Sequence, residues 1–305
     1  MSLPRQIIPG DTWFITRRCS QRLSFLKPDS IVTAVFLYVL AYCAKRYGIM
    51  IHAVCVMSTH YHLVITDLFG VLPRFMENLN KFVAKALNLH WGKWENFWAP
   101  GSYDAKRCVS VEDALERMAY TIANPTAAGL VETPEEWPGF VTLPEDIGKR
   151  RIVARRPSIF FRPDGKMPEE VSLIIEPLRC DDPEKRPTDK QTEVLREKVD
   201  ARVAAAYEKY DGNFLGAKKV LAASHLDQPR KPSPRFQTSM RIAAHDTVQR
   251  IEAIEERKEF LHGYEIAKLG WKEGDTTVAF PPGTWWFRHH TPARVQKPPH
   301  RVLLS

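Results

Sequence analysis

The sequence predicts an α+β fold in which an antiparallel sheet is flanked by helices. The β-rich segments 49–57 and 60–66 are separated only by Ser58 and Thr59, which mark either a tight turn or a break in one longer element. Helical patterns precede and follow this pair, so the order is strand, helix, strand, strand, helix, helix. Helices packed on one antiparallel sheet explain this order, and the resulting domain is expected to end near residue 150.

Composition limits the classes of protein that need to be considered. The 305 residues suffice for two ordinary domains or one large one, and 44% of them are hydrophobic, which allows a sizeable core. The net charge of +8 is consistent with a polyanionic partner. The five cysteines are scattered and include no CxxC pair, which argues against a disulfide framework or a zinc knuckle and favours reduced thiols.

The apolar segment 31–43 is the longest in the chain, but it is shorter than the roughly 20 residues that span a bilayer. Basic residues and then Gly48 follow it, as at the C-terminus of a helix, and Asp29 or Ser30 precedes it as a candidate N-cap. The N-terminus MSLPRQIIPG does not resemble a signal peptide. We therefore expect a core helix, no membrane partner and a cytoplasmic protein.

The remaining elements of the first domain follow from local patterns. Residues 12–19 alternate as a strand does, residues 71–90 have a helical pattern with Pro73 in the first turn, and the end of the segment 91–109 is a candidate short strand. Ser110 and Asp113 form a capping-box pattern at the start of a helix over 111–124. That helix is expected to end at Asn124 because the following residue is a proline.

The second half of the chain has a different character. Residues 151–190 are rich in arginine, proline and acidic residues without clear periodicity, and they predict an irregular basic connector. Residues 191–305 are expected to form a mainly helical accessory region that binds DNA. Helices are expected over 190–225, with a turn at Asp211-Gly212, and over 246–269, with a break at 232–240 and a terminal hairpin in the tail.

Two histidines, His60 and His62, lie one residue apart at the start of a strand. Residues i and i+2 of a strand project from the same face, so the two imidazoles form a potential bidentate metal site. The alternative is a pair of partly exposed histidines at a strand end. Tyr120 and Asn124 are spaced i, i+4 and share a helix face, although a tyrosine in such a helix is commonly part of the core.

Two segments carry a resemblance to a known family. Residues 52–65, HAVCVMSTHYHLVI, and residues 119–131, AYTIANPTAAGLV, resemble the ordered signatures of single-tyrosine HUH transposases, and most closely the REP-associated tyrosine transposases. The segments GNFLGAKKVLA and FPPGTWWFRHH also look like parts of larger bacterial relatives. The resemblance covers residues 12–140 well and the C-terminal half more loosely.

The resemblance implies an HUH endonuclease fold of the ferredoxin/RRM-like type for the catalytic domain, residues 1–150. It implies that His60, His62 and Asn124 bind Mg²⁺ or Mn²⁺ and that Tyr120 is the nucleophile that forms a 5′-phosphotyrosine intermediate. The partner would be single-stranded or hairpin DNA, such as a REP element, in the nucleoid of a bacterium. Relatives occur as homodimers and as monomers, and the sequence does not distinguish these states.

The chain departs from the family pattern next to the histidines. Relatives commonly have Pro-Asn where this chain has Ser58-Thr59, which shape the turn into the His60 strand. The residue between the histidines is Tyr61 instead of an aliphatic residue, and its largely apolar ring is expected to pack on the opposite face of the sheet.

Basic residues are interleaved with aromatic ones in the segment from Lys81 to Lys106. Such a pattern suits single-stranded DNA, whose bases stack on rings while its phosphates contact cations. The predicted DNA-binding residues are Lys81, Lys85, Trp91, Lys93, Trp94, Trp98, Lys106 and Arg107. Some of these tryptophans are also candidates for sealing the sheet against a helix, and we expect at least one to be exposed.

Other tyrosines and histidines are weaker candidates for the nucleophile and the metal ligands. Tyr103 is a less favourable nucleophile because it lies in a Gly-Ser loop without a ligand four residues later, and Tyr207 and Tyr210 are expected to pack. His52 is a weaker candidate ligand. Two other functions stay open: a catalytically silent regulator that binds hairpin DNA, and a zinc hydrolase that would need an acid such as Asp67 near the histidines.

Overall fold

The computed structural model describes residues 3–182, 184, 188–227 and 241–304. The strands within these residues are β1 Thr12–Arg18, β2 Ile49–Met57, β3 His60–Asp67, β4 Asp104–Cys108, β5 Arg151–Arg155, β6 Glu170–Ile174, β7 Ile242–Ala243, β8 Ala279–Phe280 and β9 Arg294–Val295. The helices are α1 Ser30–Tyr47, α2 Leu72–His90, α3 Val111–Ile122, α4 Asn124–Ala127, α5 Thr188–Tyr210, α6 Ala217–Ala222, α7 Thr247–Lys272 and α8 Trp285–His290. The predicted α+β class is confirmed.

The central sheet has the strand order β2-β3-β1-β4-β7. Its first four strands are antiparallel, as predicted, whereas the two-residue strand β7 adds in parallel to the edge of β4. Ser58 and Thr59 form the turn between β2 and β3, and Met57 pairs with His60 directly across it. The first of the two interpretations of this segment, a tight turn, is therefore confirmed.

Successive side chains of β3 point to opposite faces of the sheet and therefore contact different helices. Tyr61 points towards α1 and α2, where its ring meets Phe36 at a centroid distance of 5.1 Å and its hydroxyl donates to Oδ1 of Asn80 at 2.7 Å. His60 and His62 point to the other face, which is covered by α3. The tyrosine within the His-Tyr-His sequence is thus a fully buried core residue that satisfies its hydroxyl locally.

Helix α1 contains the apolar segment 31–43, and its N-cap is Asp29, one of the two predicted candidates. The Asp29 carboxylate accepts hydrogen bonds from the backbone N–H groups of Ile31 and Val32, at 2.8 and 3.1 Å, and Gly48 ends the helix in the left-handed conformation. The helix is long and apolar enough to cross a membrane by length and composition alone, but half of it is buried inside the protein. The helix is accordingly a core element that packs against α2 and β2.

Helix α3 begins as predicted with a complete capping box between Ser110 and Asp113. It ends at Ile122, two residues before the predicted end, and the short helix α4 then starts at Asn124. Pro125 is tolerated because it lies in the first turn of α4, where a backbone N–H has no intrahelical partner.

The prediction that residues 151–190 form an irregular connector is wrong in part. Strands β5 and β6 pair in antiparallel fashion and pack on α1. Along β5, Ile152 and Ala154 are buried while the flanking arginines are exposed, so the alternation is that of an amphipathic strand. The apolar Val153, which is exposed on the solvent face between the two arginines, concealed this short period in the sequence.

Helix α5 packs against α3 and α4 and so joins the second half of the chain to the first. Lys198 lies between Glu112 and Glu116 of α3, at 2.6 Å from each, and Arg202 contacts Glu116 at 2.5 Å. The predicted helix over 190–225 is two helices, α5 and α6, and the turn at Asp211-Gly212 between them is confirmed.

The predicted terminal hairpin is wrong. Strands β8 and β9 pair in parallel, and the segment Trp285–His290 between them forms α8. The preceding Pro281-Pro282-Gly283 turn redirects the chain and allows a helix to start after Thr284. The predicted helix over 246–269 is confirmed as α7, and the predicted break at 232–240 lies outside the described residues.

We expect Asp29→Ala to lower the free energy of unfolding by about 1 kcal/mol, because the first turn of α1 loses its side-chain acceptor. Asp29→Asn keeps an acceptor oxygen and serves as the matched control, with a smaller loss. Urea denaturation measures both. An Ala variant as stable as the parent protein would show that this cap does not stabilise the fold.

Candidate functional site

The His60 and His62 side chains meet at their Nε2 atoms. These two atoms lie 3.0 Å apart, and the rings are nearly perpendicular, with an interplanar angle of 82°. One Nε2–H donates to the other Nε2 in this arrangement, and the tautomers decide which ring is the donor. The two atoms that would bind a cation therefore already converge on one point.

The opposite nitrogen of each ring is held by a threonine. Nδ1 of His62 hydrogen-bonds the Thr16 hydroxyl at 2.9 Å, and Nδ1 of His60 hydrogen-bonds the Thr59 hydroxyl at 3.0 Å. Such partners fix the orientation of an imidazole, and a threonine oxygen that accepts from Nδ1–H selects the tautomer whose Nε2 carries a lone pair. The sequence analysis missed Thr16, because only the pairing of β1 with β3 places it opposite His62.

Tyr120 lies directly against this pair. Its ring is 5.3 Å from the ring of His62 and 5.6 Å from that of Phe14, both in edge-to-face geometry. The Tyr120 side chain is 37% exposed, so it combines a fixed position with access to solvent. The predicted association of Tyr120 with the histidine face is thus present in the structure.

Asn124 completes the group from the first residue of α4. Its side chain is buried and hydrogen-bonds His60. The single turn between α3 and α4 keeps Asn124 on the same side as Tyr120 despite the break at Ala123. Four residues from two distant parts of the sequence, His60, His62, Tyr120 and Asn124, are therefore brought together.

Both histidines are neutral at pH 7. Burial lowers the pKa of His60 to about 4, with a further contribution from the charges of Arg18 and Arg22, while its hydrogen bond with Asn124 acts in the opposite direction. Burial also lowers the pKa of His62 well below its usual value, and His60 and Lys106 add to this effect. Neutral imidazole is the form that binds a metal.

These residues fit a divalent cation. Two ligands about 2.1 Å from one cation in neighbouring octahedral positions lie about 3.0 Å apart, which matches the separation of the two Nε2 atoms. In the part of the chain that the structure describes, no three His, Cys, Asp or Glu side chains form a potential metal site. The Asn124 amide oxygen is accordingly the protein ligand that would complement the pair.

The surroundings of the pair are cationic. Arg18, Arg22 and Lys106 lie close enough to act electrostatically on the histidines. The Arg117 guanidinium lies 5.7 Å from the ring centroid of Phe14, one helical turn before Tyr120, and its buried Nε has no hydrogen-bond partner among the described residues. A phosphate group approaching Tyr120 would meet this positive rim.

The predicted DNA-binding residues are divided between the two faces of the sheet. Lys106 is paired with Phe14 and faces the histidines, whereas Arg107 faces the other way and forms an ion pair with Glu256 at 3.0 Å. Lys81 and Lys85 are exposed on α2, which covers the Tyr61 face. These residues do not form one continuous surface around Tyr120, and their DNA-binding role stays a prediction.

The predicted tryptophans differ from one another in exposure. Trp94 is 98% exposed, which meets the expectation of an exposed aromatic residue. Trp98 is buried and donates its Nε1–H to the carbonyl oxygen of Asn80 at 2.9 Å. Trp91 is partly buried, with His225 stacked on it at 4.2 Å, and Lys93 lies over the ring of Phe25. Trp98 thus seals the sheet, as the alternative interpretation predicted.

The competing candidates have structural partners elsewhere. The Tyr207 and Tyr210 hydroxyls donate to Oε2 of Glu132 and to the carbonyl oxygen of Ala127, respectively, in agreement with a packing role. Asp67 accepts backbone N–H bonds at the start of α2, about five residues along β3 from His62, and it faces the opposite side of the sheet. It cannot supply the acid that a zinc hydrolase at His60 and His62 would need.

Comparison with solved structures finds transposases. A REP-associated tyrosine transposase bound to a REP hairpin is 21% identical, with a TM-score of 0.41, and the match covers 48% of this chain and 84% of that one. A protein from Deinococcus radiodurans R1, provisionally described as a transposase, is 22% identical, with a TM-score of 0.27, over 34% of this chain and 84% of the other. No protein-family model and no curated protein matches the chain. Both TM-scores are below 0.5, so a function has to be argued from the site itself.

We expect the free energy of unfolding to decrease as the pH falls from about 6.5 to 4. In this range the histidines of the unfolded chain bind protons, whereas the buried histidines of the folded chain do not. His52 is a clear example. It is fully buried between the carbonyl oxygen of Glu176 and the hydroxyl of Thr66, and burial lowers its pKa to about 4. Its contribution is complete above pH 6.5, and about 3 kcal/mol of it is lost by pH 4.

Urea denaturation at a series of pH values measures this dependence. In a His52→Gln variant the free energy of unfolding should fall less steeply with decreasing pH, whatever its value at pH 7. A slope identical to that of the parent protein would contradict the assignment.

Proposed function

We propose that the protein is a metal-dependent endonuclease and transposase that cleaves and rejoins single-stranded DNA through a 5′-phosphotyrosine intermediate. The observation that carries this proposal is the contact between Tyr120, which is accessible, and a pair of neutral histidines whose Nε2 atoms converge. A nucleophile beside a potential cation site and a cationic rim is the arrangement that phosphoryl transfer requires.

The proposed chemistry is an exchange of one phosphodiester for another. The phenol of Tyr120 gives up its proton as its oxygen attacks a DNA phosphorus, and the bond from phosphorus to the 3′-oxygen breaks. The leaving oxygen takes up a proton to become a free 3′-hydroxyl, so the exchange consumes no net proton. Attack by a 3′-hydroxyl on the phosphotyrosine reverses these steps and restores the strand. The covalent intermediate preserves the energy of the phosphodiester, so rejoining needs no external energy source.

The residues of the site divide this work. His60, His62 and Asn124 would hold Mg²⁺ or Mn²⁺, which, when bound, supplies Lewis-acid polarisation of the scissile phosphate. Thr16 and Thr59 hold the two rings in the orientation that presents Nε2. A phenol with an ordinary pKa near 10 is a weak nucleophile at pH 7, and Lys106 and Arg117 supply positive charge on the same face.

The proposed substrate is single-stranded DNA, with hairpins of the REP type as the expected targets. This part of the proposal is supported by the two motifs around His60 and Tyr120, which resemble those of the REP-associated tyrosine transposases. A nucleoid-associated location in a bacterial cytoplasm agrees with such a substrate. The second half of the chain would act as an accessory region, and α5 holds the helix that carries Tyr120.

Replacing Tyr120 by Phe should abolish covalent attachment to DNA, because only the hydroxyl is removed while the ring can keep its contacts with His62 and Phe14. Labelled single-stranded and hairpin oligonucleotides with Mn²⁺, analysed by denaturing electrophoresis, would report the adduct. Tyr207→Phe is the matched control because Tyr207 is also a helical tyrosine with 37% exposure.

An adduct that persists in the Tyr120→Phe variant would exclude this residue as the nucleophile. Hairpin binding without any adduct in the parent protein, whichever divalent ion is added, would instead favour a catalytically silent DNA-binding regulator.

Replacing Thr16 by Val should weaken Mn²⁺ binding by about 10- to 100-fold, because His62 loses the hydroxyl that orients its ring. Thr12→Val is the control, since it makes the same change on the same strand at a hydroxyl that bonds Thr66 and not the histidine pair. Electron paramagnetic resonance measures free Mn²⁺ during titration of each variant. Equal affinities in both variants would show that Thr16 does not support the site.

A further inference from the structure

A second cationic site lies at the other end of the sheet, between the N-terminal segment, β4 and α7. It is a cleft whose lining includes Trp13 and four arginines: Arg5, Arg107, Arg241 and Arg257. The two arginines from the second half of the chain, Arg241 and Arg257, converge here with residues from the first. No local segment of the sequence shows this cluster.

The cleft is separate from the site around Tyr120. In the pairing of β1 with β4, Trp13 is opposite Arg107, while the next pair is Phe14 with Lys106. Successive side chains of a strand point to opposite faces, and Phe14 contacts Tyr120. Trp13 and Arg107 therefore face away from the histidine pair, with the sheet between the two sites.

Trp13 lines this cleft and carries an unused hydrogen-bond donor. The side chain is only 3% exposed, and its Nε1–H has no hydrogen-bond partner among the described residues. A buried donor without an acceptor costs free energy, so an acceptor supplied by a ligand would be favourable there. An indole N–H can only donate, which restricts that ligand to one with an accepting atom.

The charges of the cleft are only partly compensated. Arg107 forms an ion pair with Glu256 at 3.0 Å, and Arg241 approaches Asp104 at 3.5 Å. Within the described ranges, neither Arg5 nor Arg257 has an ion pair with a carboxylate; Arg5 donates to the carbonyl oxygen of Tyr103 and lies over its ring. Burial and the charge of Arg241 lower the pKa of Arg257, as expected for guanidinium groups crowded together.

The size and shape of the cleft suit a small oxyanion. The cleft offers about 40 Å³ of space, room for roughly three water molecules. Ala105, Ile242 and Ala253 form part of an apolar wall. Guanidinium groups bind phosphate oxygens through paired, parallel N–H donors, and an indole N–H can occupy one more oxygen. A phosphate group would accept hydrogen bonds from the guanidinium and indole N–H groups, balance the positive charge and fit the volume of the cleft.

We propose that this cleft binds a phosphate group, either as free phosphate or as part of a nucleic-acid backbone. The site is independent of the chemistry at Tyr120. If DNA supplies the phosphate, a strand bound there lies on the face of the sheet opposite the histidines, and α7 contributes affinity without taking part in cleavage. Such binding would weaken with rising salt concentration.

Nuclear magnetic resonance on the full ¹⁵N-labelled chain tests the site directly. The indole Nε1–H signal of Trp13, assigned by its loss in Trp13→Phe, should shift on titration with inorganic phosphate and not with chloride at the same ionic strength. Isothermal titration calorimetry with phosphate gives the affinity independently of this assignment. A short oligothymidine without terminal phosphates, titrated in parallel, tests a backbone phosphodiester as the source.

The variants Arg241→Gln and Arg257→Gln should each weaken phosphate binding at least tenfold. Lys258→Gln is the matched control, because it removes one positive charge from α7 at an exposed position that pairs with Glu255 and does not line the cleft. Tyr120→Phe should leave phosphate binding in the cleft unchanged. The proposal for this cleft and the proposed catalytic function can therefore be disproved independently of each other.

A shift with phosphate alone would assign the cleft to free phosphate, and a shift with the oligonucleotide would assign it to nucleic acid. The proposal is overturned if neither ligand moves the Trp13 signal and no heat of binding is detected. It is equally overturned if the arginine variants bind phosphate as tightly as the Lys258→Gln control.

Discussion

The register of β3 is the constraint on which the site depends. The turn at Ser58 and Thr59 pairs Met57 with His60, and from that pairing the alternation of the strand places His60 and His62 on one face and Tyr61 on the other. A shift by one residue would place both imidazoles among the apolar side chains of α1 and α2 and move the tyrosine to the face that α3 covers. The hydrogen bond between Tyr61 and Asn80 and the tight packing around that ring oppose such a shift.

The second half of the chain supports the first at two places. Helix α5 is held to α3 by ion pairs around Lys198 and Glu116, and Tyr210 packs against Gly129 just after α4. At the opposite end, β7 extends the sheet and α7 covers the neighbouring edge. The helix that carries Tyr120 is thus clamped between the sheet and α5, which limits its motion relative to the histidines. The accessory region is therefore part of the framework of the site.

Burial has opposite chemical consequences on the two faces of the sheet. On the histidine face it removes protons from His60 and His62, so their Nε2 lone pairs are available although several cations lie nearby. On the other face the guanidinium groups stay charged because the pKa of arginine is too high for burial to neutralise them. One face therefore presents neutral imidazoles, and the other presents fixed positive charge. The same sheet separates the two sites.

The sequence by itself determined the features that depend on neighbours within a few residues. Short-range geometry accounts for the start of α1 after Asp29 or Ser30, the capping box at Ser110, the turn at Asp211-Gly212 and the common face of His60 and His62. The amphipathic period of β5 was present in the sequence too, but the exposed apolar residue Val153 interrupted the alternation of polar and apolar residues.

Only the tertiary structure decided which distant residues meet. Thr16 is 46 residues from His62 in the sequence, and Arg257 is more than 200 from Trp13, yet each pair belongs to one site. Strand pairing and helix packing bring these residues together. Both depend on the burial of the whole hydrophobic core and not on any local sequence pattern. For the same reason the predicted basic and aromatic residues, contiguous in the sequence, were divided between two faces once the sheet had formed.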